Sequence, residues 1–345
     1  MKAIVFHEHG DTDKLALEEI PEPALGPNDC LIRVRAAGCN YNDIWARRGL
    51  PGVKIILPHV SGSDAAGEVI ATGAEVQTVK DGDRVLVHPG LSCRICEACT
   101  SGNEVFCREF KIWGFQTGPN DGGYAEVARL PEVNLIPMPE SLSFEEAASL
   151  PLVLETAWRM LVTRARIAPG QFVLIWGAAG GLGVMAIQIC RLFNAIPIAV
   201  VSSAKKAELV ARLGAAHVID RKTEDLPARV REITDRRGVD IVFEHVGEAT
   251  WEQSVAVLKW GGTLVVCGAT TGFEARTDLR FLWNKQQNHL GSHLGTKAEL
   301  LAALRFVETG QIKPVIDKVF PLAEAAAAQA RIESDEAEGK LILVP

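Results

Sequence analysis

The 345-residue sequence has little that points to a membrane, a nucleic acid or an export route. No run approaches the roughly 18 consecutive apolar residues of a membrane-spanning helix, and the opening MKAIVFHEHG is too poor in apolar residues for the core of a signal peptide. Lysine and arginine number 36 against 43 acidic residues, so no basic surplus indicates a nucleic acid or an anionic membrane surface. We therefore expect a cytoplasmic protein that acts on a small molecule.

Two regions of different patterning divide the chain. At roughly 150 residues per domain the length suggests two domains. The first region carries short strands such as KAIVF (2–6) and CLIRVRAAG (30–38) between turns rich in proline and glycine, which predicts an antiparallel, barrel-like domain. From about residue 295 the chain returns to short strands, PVIDKVF and GKLILVP, which we expect to pair with this first domain.

From Pro151 onward, short apolar runs alternate with helical stretches. The six runs are FVLIWG, IPIAVVS, HVID, VDIVFEH, GTLVVCG and LGSH. Buried strands that alternate with helices predict a parallel, doubly wound sheet, and six strands is the full count of a Rossmann dinucleotide-binding domain. We predict an α/β protein in which residues 1–152 and 295–345 form one domain and residues 153–294 form the other.

Four of the eight cysteines stand close together in LSCRICEACTSGNEVFC, with the spacing C-x2-C-x2-C-x7-C. In a reducing compartment, thiols this close would not persist as disulfides. The thiolates of Cys93, Cys96, Cys99 and Cys107 can instead close a tetrahedron around Zn²⁺ and leave no position open for substrate. We predict one structural zinc per chain in a lobe at residues 91–110; an iron–sulfur cluster and a metal-free cysteine loop are the alternatives.

A glycine-rich turn joins the first strand of the predicted parallel sheet to its helix. Gly177, Gly180 and Gly183 follow the spacing G-x-x-G-x-x-G in FVLIWGAAGGLGVMAIQICRLF. Glycine lets the backbone approach a pyrophosphate, and the helix N-terminus beyond it supplies free N–H groups and the positive end of the helix dipole. Gly181 and Leu182 lie in the same turn, so we expect all five residues to contact a dinucleotide.

The second strand of this sheet ends without the carboxylate that would hold the ribose 2′-hydroxyl of NAD. Ser202, Ser203, Lys205 and Lys206 follow the strand, and the next acidic residue is Glu208. Hydroxyl and ammonium groups fit a 2′-phosphate, so the sequence predicts NADPH, although solvated lysines would give the same pattern. Further cofactor contacts are expected at Thr156, Arg221, Val246 and Gly268.

An antiparallel first domain, a four-cysteine loop, a dinucleotide domain and a returning chain together resemble the medium-chain dehydrogenase/reductase superfamily, over essentially the whole length. The resemblance implies that the first domain is GroES-like. In zinc alcohol dehydrogenases of that superfamily, a G-I-C-G-T-D motif and a G-H-E motif supply ligands to a catalytic zinc, and a cysteine before the interdomain helix supplies the third. The segments that match the two motifs here are GCNYND (38–43) and GSD (62–64).

This match puts Asn40, Ser63 and, near the third position, Leu152 where the zinc ligands would be. An amide, a hydroxyl and an aliphatic side chain are a poor donor set for Zn²⁺. We therefore expect no catalytic zinc, and a shifted site made of Cys39, His59 and Asp64 is the alternative. Superfamily members without this metal include quinone reductases and enoyl reductases, which deliver hydride from NADPH to a polarised C=C bond.

The segments IPIAVVSSAKKAELVARLGAAHVIDR, HVSGSDAAGEV (59–69) and LGSHLGT look like crotonyl-CoA carboxylase/reductases and acrylyl-CoA reductases. This likeness implies that the substrate is a CoA thioester, with an enone or a quinone as alternatives. Asn42 and His293 match residues that line the active site of the carboxylating enzymes, where they help to hold carbon dioxide. Their other carbon dioxide contacts have no evident match here, which leaves carboxylation open.

The resemblance implies catalytic roles for a small set of side chains. Asn40 and Ser63 would bind the substrate carbonyl or the cofactor carboxamide, His293 would donate a proton to the α-carbon, and Tyr41 is a competing donor. Capping of loops is the alternative for Asn40 and Ser63, and a structural role is the alternative for His293. The side chains of Arg47 and its neighbour Arg48 fit a solvated charge pair better than a contact with CoA phosphates.

Three functions stay open at this point. The first is an NADPH-dependent alkene reductase, the second an alcohol or aldehyde dehydrogenase with an atypical metal site, and the third a non-catalytic NADPH-binding protein. Superfamily sheets commonly pair edge to edge across a dimer, so we expect a homodimer or a homotetramer.

Overall fold

The computed structural model describes all of residues 1–345, which divide into two compact units. The first unit comprises Met1–Leu152, Thr296–Ala302 and Pro314–Pro345. The second comprises Val153–Gly295 and Ala303–Lys313. No helix combines the length and the apolar character that crossing a bilayer requires.

The sequence placed the whole of 295–345 with the first unit, but Ala303–Lys313 belongs to the second. The reason is packing inside the second unit. Phe306 stacks on Trp158 with ring centroids 5.6 Å apart, and Gln188 Oε1 accepts a hydrogen bond of 2.8 Å from the backbone N–H of Lys313.

Short strands build the first unit, as its short apolar segments between proline- and glycine-rich turns predict. They are β1 (Lys2–Phe6), β2 (Ala16–Glu19), β3 (Asp29–Gly38), β4 (His59–Val60), β5 (Asp64–Thr72), β6 (Arg84–Val87), β7 (Gly90–Leu91), β8 (Lys111–Ile112), β9 (Val127–Pro131), β10 (Leu135–Pro137), β17 (Ile316–Pro321) and β18 (Lys340–Val344). The largest sheet has seven strands in the order β10-β6-β5-β3-β18-β17, with β9 also paired to β3. The C-terminal strands therefore pair with the first domain, as expected.

The helices of this unit are short and lie between its strands. They are α1 (Tyr41–Arg48), α2 (Glu97–Thr100), α3 (Phe144–Ala148) and α11 (Ala325–Glu333); α4 (Pro151–Trp158) and α10 (Lys297–Glu308) begin here and end in the second unit. Two ladders fix the end of β3. Gly38 pairs with Asp64 at the start of β5 and with Ile342 in β18. The turn into α1 is thereby held beside the first residues of both neighbouring strands.

A six-stranded parallel sheet forms the second unit and confirms the predicted doubly wound domain. Its strands are β11 (Phe172–Ile175), β12 (Ile196–Val201), β13 (His217–Asp220), β14 (Val239–Glu244), β15 (Leu258–Val266) and β16 (Asn288–Gly291). The order β13-β12-β11-β14-β15-β16 is that of a Rossmann domain. Leu174, Ile198, Val242 and Leu264, one from each of the four central strands, are fully buried in one core cluster, because helices cover the sheet on its faces.

Five helices connect these strands. They are α5 (Gly181–Leu192), α6 (Ala204–Leu213), α7 (Leu226–Ile233), α8 (Glu248–Val257) and α9 (Leu279–Trp283). Three of them (α6, α7 and α9) have an N-cap side chain that accepts a backbone hydrogen bond. Ser203 caps α6 through its hydroxyl, and Gly214 ends that helix in the left-handed conformation (φ +97°). Helix α4 begins at Pro151, and the helical stretch continues after Trp158 as a π-helical segment over Arg159–Arg164.

Candidate active site

The carboxyl edge of the parallel sheet gathers most of the predicted cofactor residues. All strands of a parallel sheet end at the same edge, and ligands bind where the strand order reverses, here beside β11 between β12 and β14. The residues that follow successive strands at this edge are Gly177, Ser202, Arg221, Val246 and Gly268, with His293 two residues beyond β16.

The glycine loop is shaped for close approach by a ligand. Gly177 has φ +52°, and a Cβ on Gly183 would lie 2.5 Å from the Cα of Ala178, so glycine is required for the tight turn and for helix packing. A Cβ on Gly180 would meet only one backbone oxygen, at 3.4 Å, so this position faces open space. Helix α5 begins at Gly181 without a side-chain cap, which leaves its first N–H groups for an anion.

The loop after β14 is held by a buried carboxylate that the sequence analysis missed. Glu244 Oε1 accepts from the backbone N–H groups of Val246 (2.7 Å) and Gly247 (3.1 Å). Its Oε2 accepts from the hydroxyl of Ser254, and that hydroxyl accepts from Trp176 Nε1 at 2.7 Å. Glu244 thus connects the ends of β14 and β11. The only signal in the sequence was an acidic residue at the end of an apolar strand.

Positive charge and hydroxyl groups follow β12. Lys206 is buried, and its Nζ lies 3.3 Å from Ser202 Oγ. Ser203 Oγ accepts from the backbone N–H of Lys206 at 3.3 Å, whereas the side chain of Lys205 is exposed. The exposed Arg221 follows β13, the strand next to β12. This end of the sheet therefore offers cations and hydroxyls to a ligand.

The four clustered cysteines converge as a metal site requires. All four Sγ atoms lie within 4.8 Å of one another, and this is the one group of three or more converging His, Cys, Asp or Glu ligand atoms in the chain. The Sγ–Sγ distances are 3.5 Å (Cys96–Cys99 and Cys93–Cys107) and 3.9 Å (Cys93–Cys99). A tetrahedron with Zn–S bonds of about 2.3 Å has edges of about 3.8 Å, so the residues fit Zn²⁺.

In the first unit, the amide of Asn40 is used inside the protein. Its Oδ1 accepts from Lys340 Nζ at 2.6 Å, and its Nδ2 donates to Asp64 Oδ2 at 2.8 Å and to Gly38 O at 3.3 Å. The amide that the sequence assigned to a substrate carbonyl or the cofactor carboxamide therefore already has partners at both ends.

Asn42 and Ser63 form a buried pair. Asn42 Nδ2 donates to Ser63 Oγ at 2.7 Å, and Ser63 is fully buried. Asn42 is 8% exposed, and its Oδ1 has no hydrogen-bond partner. A buried polar atom without a partner is costly, so this oxygen is a candidate contact for a ligand or a water molecule.

The shifted metal site of Cys39, His59 and Asp64 does not form. Asp64 is bound by Lys340 Nζ at 2.9 Å and by the backbone N–H of Leu152 at 2.8 Å, and His59 Nε2 lies 3.2 Å from Gly114 O. Burial raises the pKa of the Cys39 thiol to about 12, which disfavours a thiolate ligand. These ligand atoms do not converge, so this alternative is wrong.

A second buried carboxylate, Asp43, connects the segment around Asn40 with the segment around Gly62. Its Oδ2 accepts from the backbone N–H of Asn40 and from the hydroxyl of Tyr124, both at 2.8 Å, and its Oδ1 accepts from Gly62 N–H at 3.3 Å. Burial raises the pKa of Asp43 to about 7, against these hydrogen bonds.

The arginine pair of α1 differs from the expected solvated pair. Arg47 is fully buried, with Nε 2.7 Å from Gln329 Oε1, Nη1 2.8 Å from Gly10 O and Nη2 2.6 Å from Glu333. Arg48 is partly exposed and contacts the same Glu333 carboxylate at 2.8 Å. Arg47 therefore stabilises the fold, because its guanidinium is held by three internal acceptors.

The other predicted site residues are placed as follows. Tyr41 lies edge-on to Trp45, with ring centroids 5.3 Å apart, and burial raises its pKa. His293 is exposed, and partial desolvation together with Arg159 lowers its pKa. Thr156 in α4 is buried, with no partner for its hydroxyl.

Comparison with known proteins agrees with this architecture. The alcohol dehydrogenase GroES-like domain matches residues 26–140 and the zinc-binding dehydrogenase domain matches residues 181–309. Crotonyl-CoA carboxylase/reductase of Cereibacter sphaeroides is 37% identical over 96% of this chain and 83% of its own length.

Two solved structures are similar to this chain over nearly its whole length. A structure titled NAD-dependent alcohol dehydrogenase is 38% identical, with a TM-score of 0.94 and full coverage of both chains. The 2-octenoyl-CoA carboxylase reductase CinF, solved with NADP and 2-octenoyl-CoA, is 36% identical with a TM-score of 0.89, over 99% of this chain and 87% of that one. The chain belongs to the zinc-binding dehydrogenases of the medium-chain dehydrogenase/reductase superfamily and is an oxidoreductase.

Two alanine variants of the glycine loop distinguish a packing role from a ligand-contact role. In Gly183→Ala the new Cβ collides with backbone, so we expect a lower Tm and weak dinucleotide binding. In Gly180→Ala the Cβ enters open space, so we expect an unchanged Tm and a Kd for the dinucleotide raised at least about 10-fold. Thermal unfolding and fluorescence titration measure both. Unchanged dinucleotide binding in Gly180→Ala would contradict the assignment of this loop.

Proposed function

We propose that the protein reduces the activated C=C bond of a 2-enoyl-CoA ester with NADPH, with no catalytic zinc. The observation that carries this proposal is the pair Asn42–Ser63 beside an Asn40 amide bound to Lys340. At the three places where zinc dehydrogenases carry metal ligands, this chain has that amide, the hydroxyl of Ser63 and the aliphatic Leu152. Hydrogen bonds, not a Lewis acid, would then stabilise the substrate oxygen.

Relatives support the substrate class. The curated relative from Cereibacter sphaeroides carries crotonyl-CoA in its name, and CinF was solved with 2-octenoyl-CoA. Both match nearly the whole of this chain at 36–37% identity. An enone or a quinone remains the alternative acceptor, since a quinone oxidoreductase of Pseudomonas aeruginosa is 32% identical.

When bound, NADPH would supply the hydride for the β-carbon of the enoyl ester, and the electron pair of the C=C bond would then shift toward the thioester oxygen. Asn42 would bind that oxygen. A half-turn of its amide about the Cβ–Cγ bond lets Oδ1 accept from the Ser63 hydroxyl, and Nδ2 then points its N–H groups where the unpartnered Oδ1 now lies. Ser63 fixes the amide in either orientation, so Asn42 is held ready for the developing negative charge.

His293 would return a proton to the α-carbon. It lies two residues beyond β16 at the carboxyl edge of the sheet. Partial desolvation and Arg159 lower its pKa, which makes its protonated form a stronger acid. Tyr41 is the competing donor, and its raised pKa makes it the weaker acid of the two.

The choice of hydride acceptor distinguishes reduction of a C=C bond from alcohol dehydrogenase chemistry. NADPH oxidation is to be measured with crotonyl-CoA, acryloyl-CoA, a quinone and a simple ketone, each with and without bicarbonate. We expect turnover of the enoyl-CoA esters, and in Asn42→Ala a kcat about 100-fold lower because one oxyanion donor is lost. Asn288→Ala, an exposed asparagine at the start of β16, serves as the control with wild-type kcat.

Turnover of the ketone alone would overturn the proposal. In that case the second candidate, an alcohol dehydrogenase, takes its place, which the structural likeness to an NAD-dependent alcohol dehydrogenase favours. A carboxylated product formed only with bicarbonate would add carboxylation to the reaction.

The cofactor would be NADPH because Ser202, Ser203, Lys206 and Arg221 lie where the ribose 2′ position is read. We expect Lys206→Ala to raise the Kd for NADPH about 10-fold and to leave that for NADH unchanged, since an ammonium–phosphate contact is lost. Lys205→Ala is the matched control, because its side chain is exposed. Equal weakening of NADPH and NADH binding by Lys206→Ala would show that the lysine is only structural.

The four-cysteine lobe would hold one structural zinc, whose tetrahedral thiolate site leaves no coordination position for substrate. We expect one zinc per chain by elemental analysis. Cys96→Ser should lose that zinc and lower Tm by about 5 °C or more, because metal binding free energy contributes to folding. Cys267→Ser, outside the cluster, should keep the metal. Two zinc ions per chain in the wild type would contradict this assignment.

The same proposal includes a cytoplasmic homodimer or homotetramer. β16 is an edge strand, and the exposed Trp260 and Trp283 lie in β15 and α9 of the same unit. Exposed aromatic side chains beside an open strand edge favour association with another chain.

A further inference from the structure

A buried ammonium lies where three distant segments of the first unit meet. Lys340 begins β18 and is 2% exposed. Its Nζ donates to Asn40 Oδ1 at 2.6 Å, to Cys39 O at 2.9 Å and to Asp64 Oδ2 at 2.9 Å. An ammonium has three N–H donors, so each one is used and the side chain has a single position.

Asp64 completes the cluster from the other side. Its Oδ2 accepts from Lys340 and from Asn40 Nδ2, and its Oδ1 accepts from the backbone N–H of Leu152 at 2.8 Å. The pair thus connects the end of β3, the start of β5 and the first turn of α4. Each of these three segments carries one of the residues Asn40, Ser63 and Leu152. By the sequence match, these residues occupy the positions of the zinc ligands in the metal-containing dehydrogenases.

Strand register explains why Lys340 reaches this point. Ile342 pairs with Gly38 and Leu343 with Ala37 in the antiparallel β18–β3 ladder. Lys340 therefore lies opposite Asn40. In the neighbouring β3–β5 ladder Gly38 pairs with Asp64, which brings the carboxylate to the same end of the sheet.

The desolvation of two buried charges largely cancels their attraction, so such a pair adds little stability over an apolar pair of the same volume. What it does provide is fixed geometry, because every donor and acceptor of the cluster is satisfied by one arrangement only. The neighbours on either side are Asn42, two residues after Asn40, and Ser63, directly before Asp64.

We propose that Lys340 is a positioning residue: through Asp64 and Asn40 it holds together the segments that carry the Asn42–Ser63 pair. This role rests on the proposed function, in which that pair binds the substrate oxygen. Loss of the ammonium would leave the dinucleotide unit untouched and would misplace Asn42 relative to Ser63.

The test removes both charges together. Lys340→Met combined with Asp64→Asn avoids an uncompensated buried charge, and Arg331→Met combined with Asp317→Asn removes an ion pair of 2.7 Å from the same unit as a control. We expect the first double variant to bind NADPH with wild-type Kd and to lose about 100-fold in kcat, while the control double variant keeps kcat within about 3-fold.

A second readout does not use activity. Amide hydrogen exchange should rise in peptides that cover residues 38–43, 62–64 and 150–153 of the Lys340/Asp64 variant, and not in the control. A folded Lys340/Asp64 variant with kcat close to that of the control, or with unchanged exchange in those peptides, would overturn the proposal.

If the double variant does not fold, the variant Asn40→Ala tests the positioning role of Lys340 instead. It removes one acceptor and leaves the Lys340–Asp64 pair, and we expect at least about a 10-fold fall in kcat at unchanged NADPH affinity; wild-type kcat would overturn the proposal. Rates are compared on whichever acceptor the wild type turns over. A preference for the ketone would therefore refute the enoyl-CoA proposal and still leave the role of Lys340 measurable.

Discussion

The buried contact between Lys340 and Asp64 is the interaction on which the first unit's candidate site depends. A carboxylate with no exposure needs a counter-charge and several hydrogen-bond donors, and Asp64 has both. The arrangement works because strand pairing brings together residues that are 276 positions apart in the chain. Asp43 is equally buried but has only neutral donors, Tyr124 and two backbone N–H groups, and burial raises its pKa to about 7.

In the second unit the corresponding constraint is the parallel sheet itself. Parallel strands that all end at one edge put six loops side by side, and glycine at 177 and 183 lets one of these loops turn tightly into α5. Glu244 then holds the neighbouring loop by its backbone, and it positions Val246 through the N–H group of that residue. This edge thus offers the free backbone N–H groups at the start of α5 beside the side-chain hydroxyls and cations after β12 and β13, whereas the candidate carbonyl-binding pair consists of side chains alone.

The sequence predicted the class of fold and the superfamily well because those depend on local patterns. FVLIWG and the five later apolar runs alternate with helical stretches, which is visible in the sequence. The four clustered cysteines lie within 15 residues, so a local loop is enough to bring them together. It predicted side-chain roles less well. Arg47 reads as a solvated charge but is enclosed by Gln329 and Glu333, which lie more than 280 residues away along the chain. The sequence predicted no role for Lys340, because a single lysine before LILV is typical of the start of any edge strand.

Residue patterns alone are enough to predict the two kinds of sheet, the glycine loop, the cysteine spacing typical of a metal site and the lack of an acidic residue directly after the second strand. These features rest on residues near one another in the chain, where spacing fixes geometry. Three further features are visible only in the folded chain: the Asn40 amide contacts Lys340, Asn42 donates to Ser63 and keeps one oxygen without a partner, and Cys39, His59 and Asp64 do not converge. Each of these depends on strand register between segments far apart in the chain, which sequence spacing does not reveal.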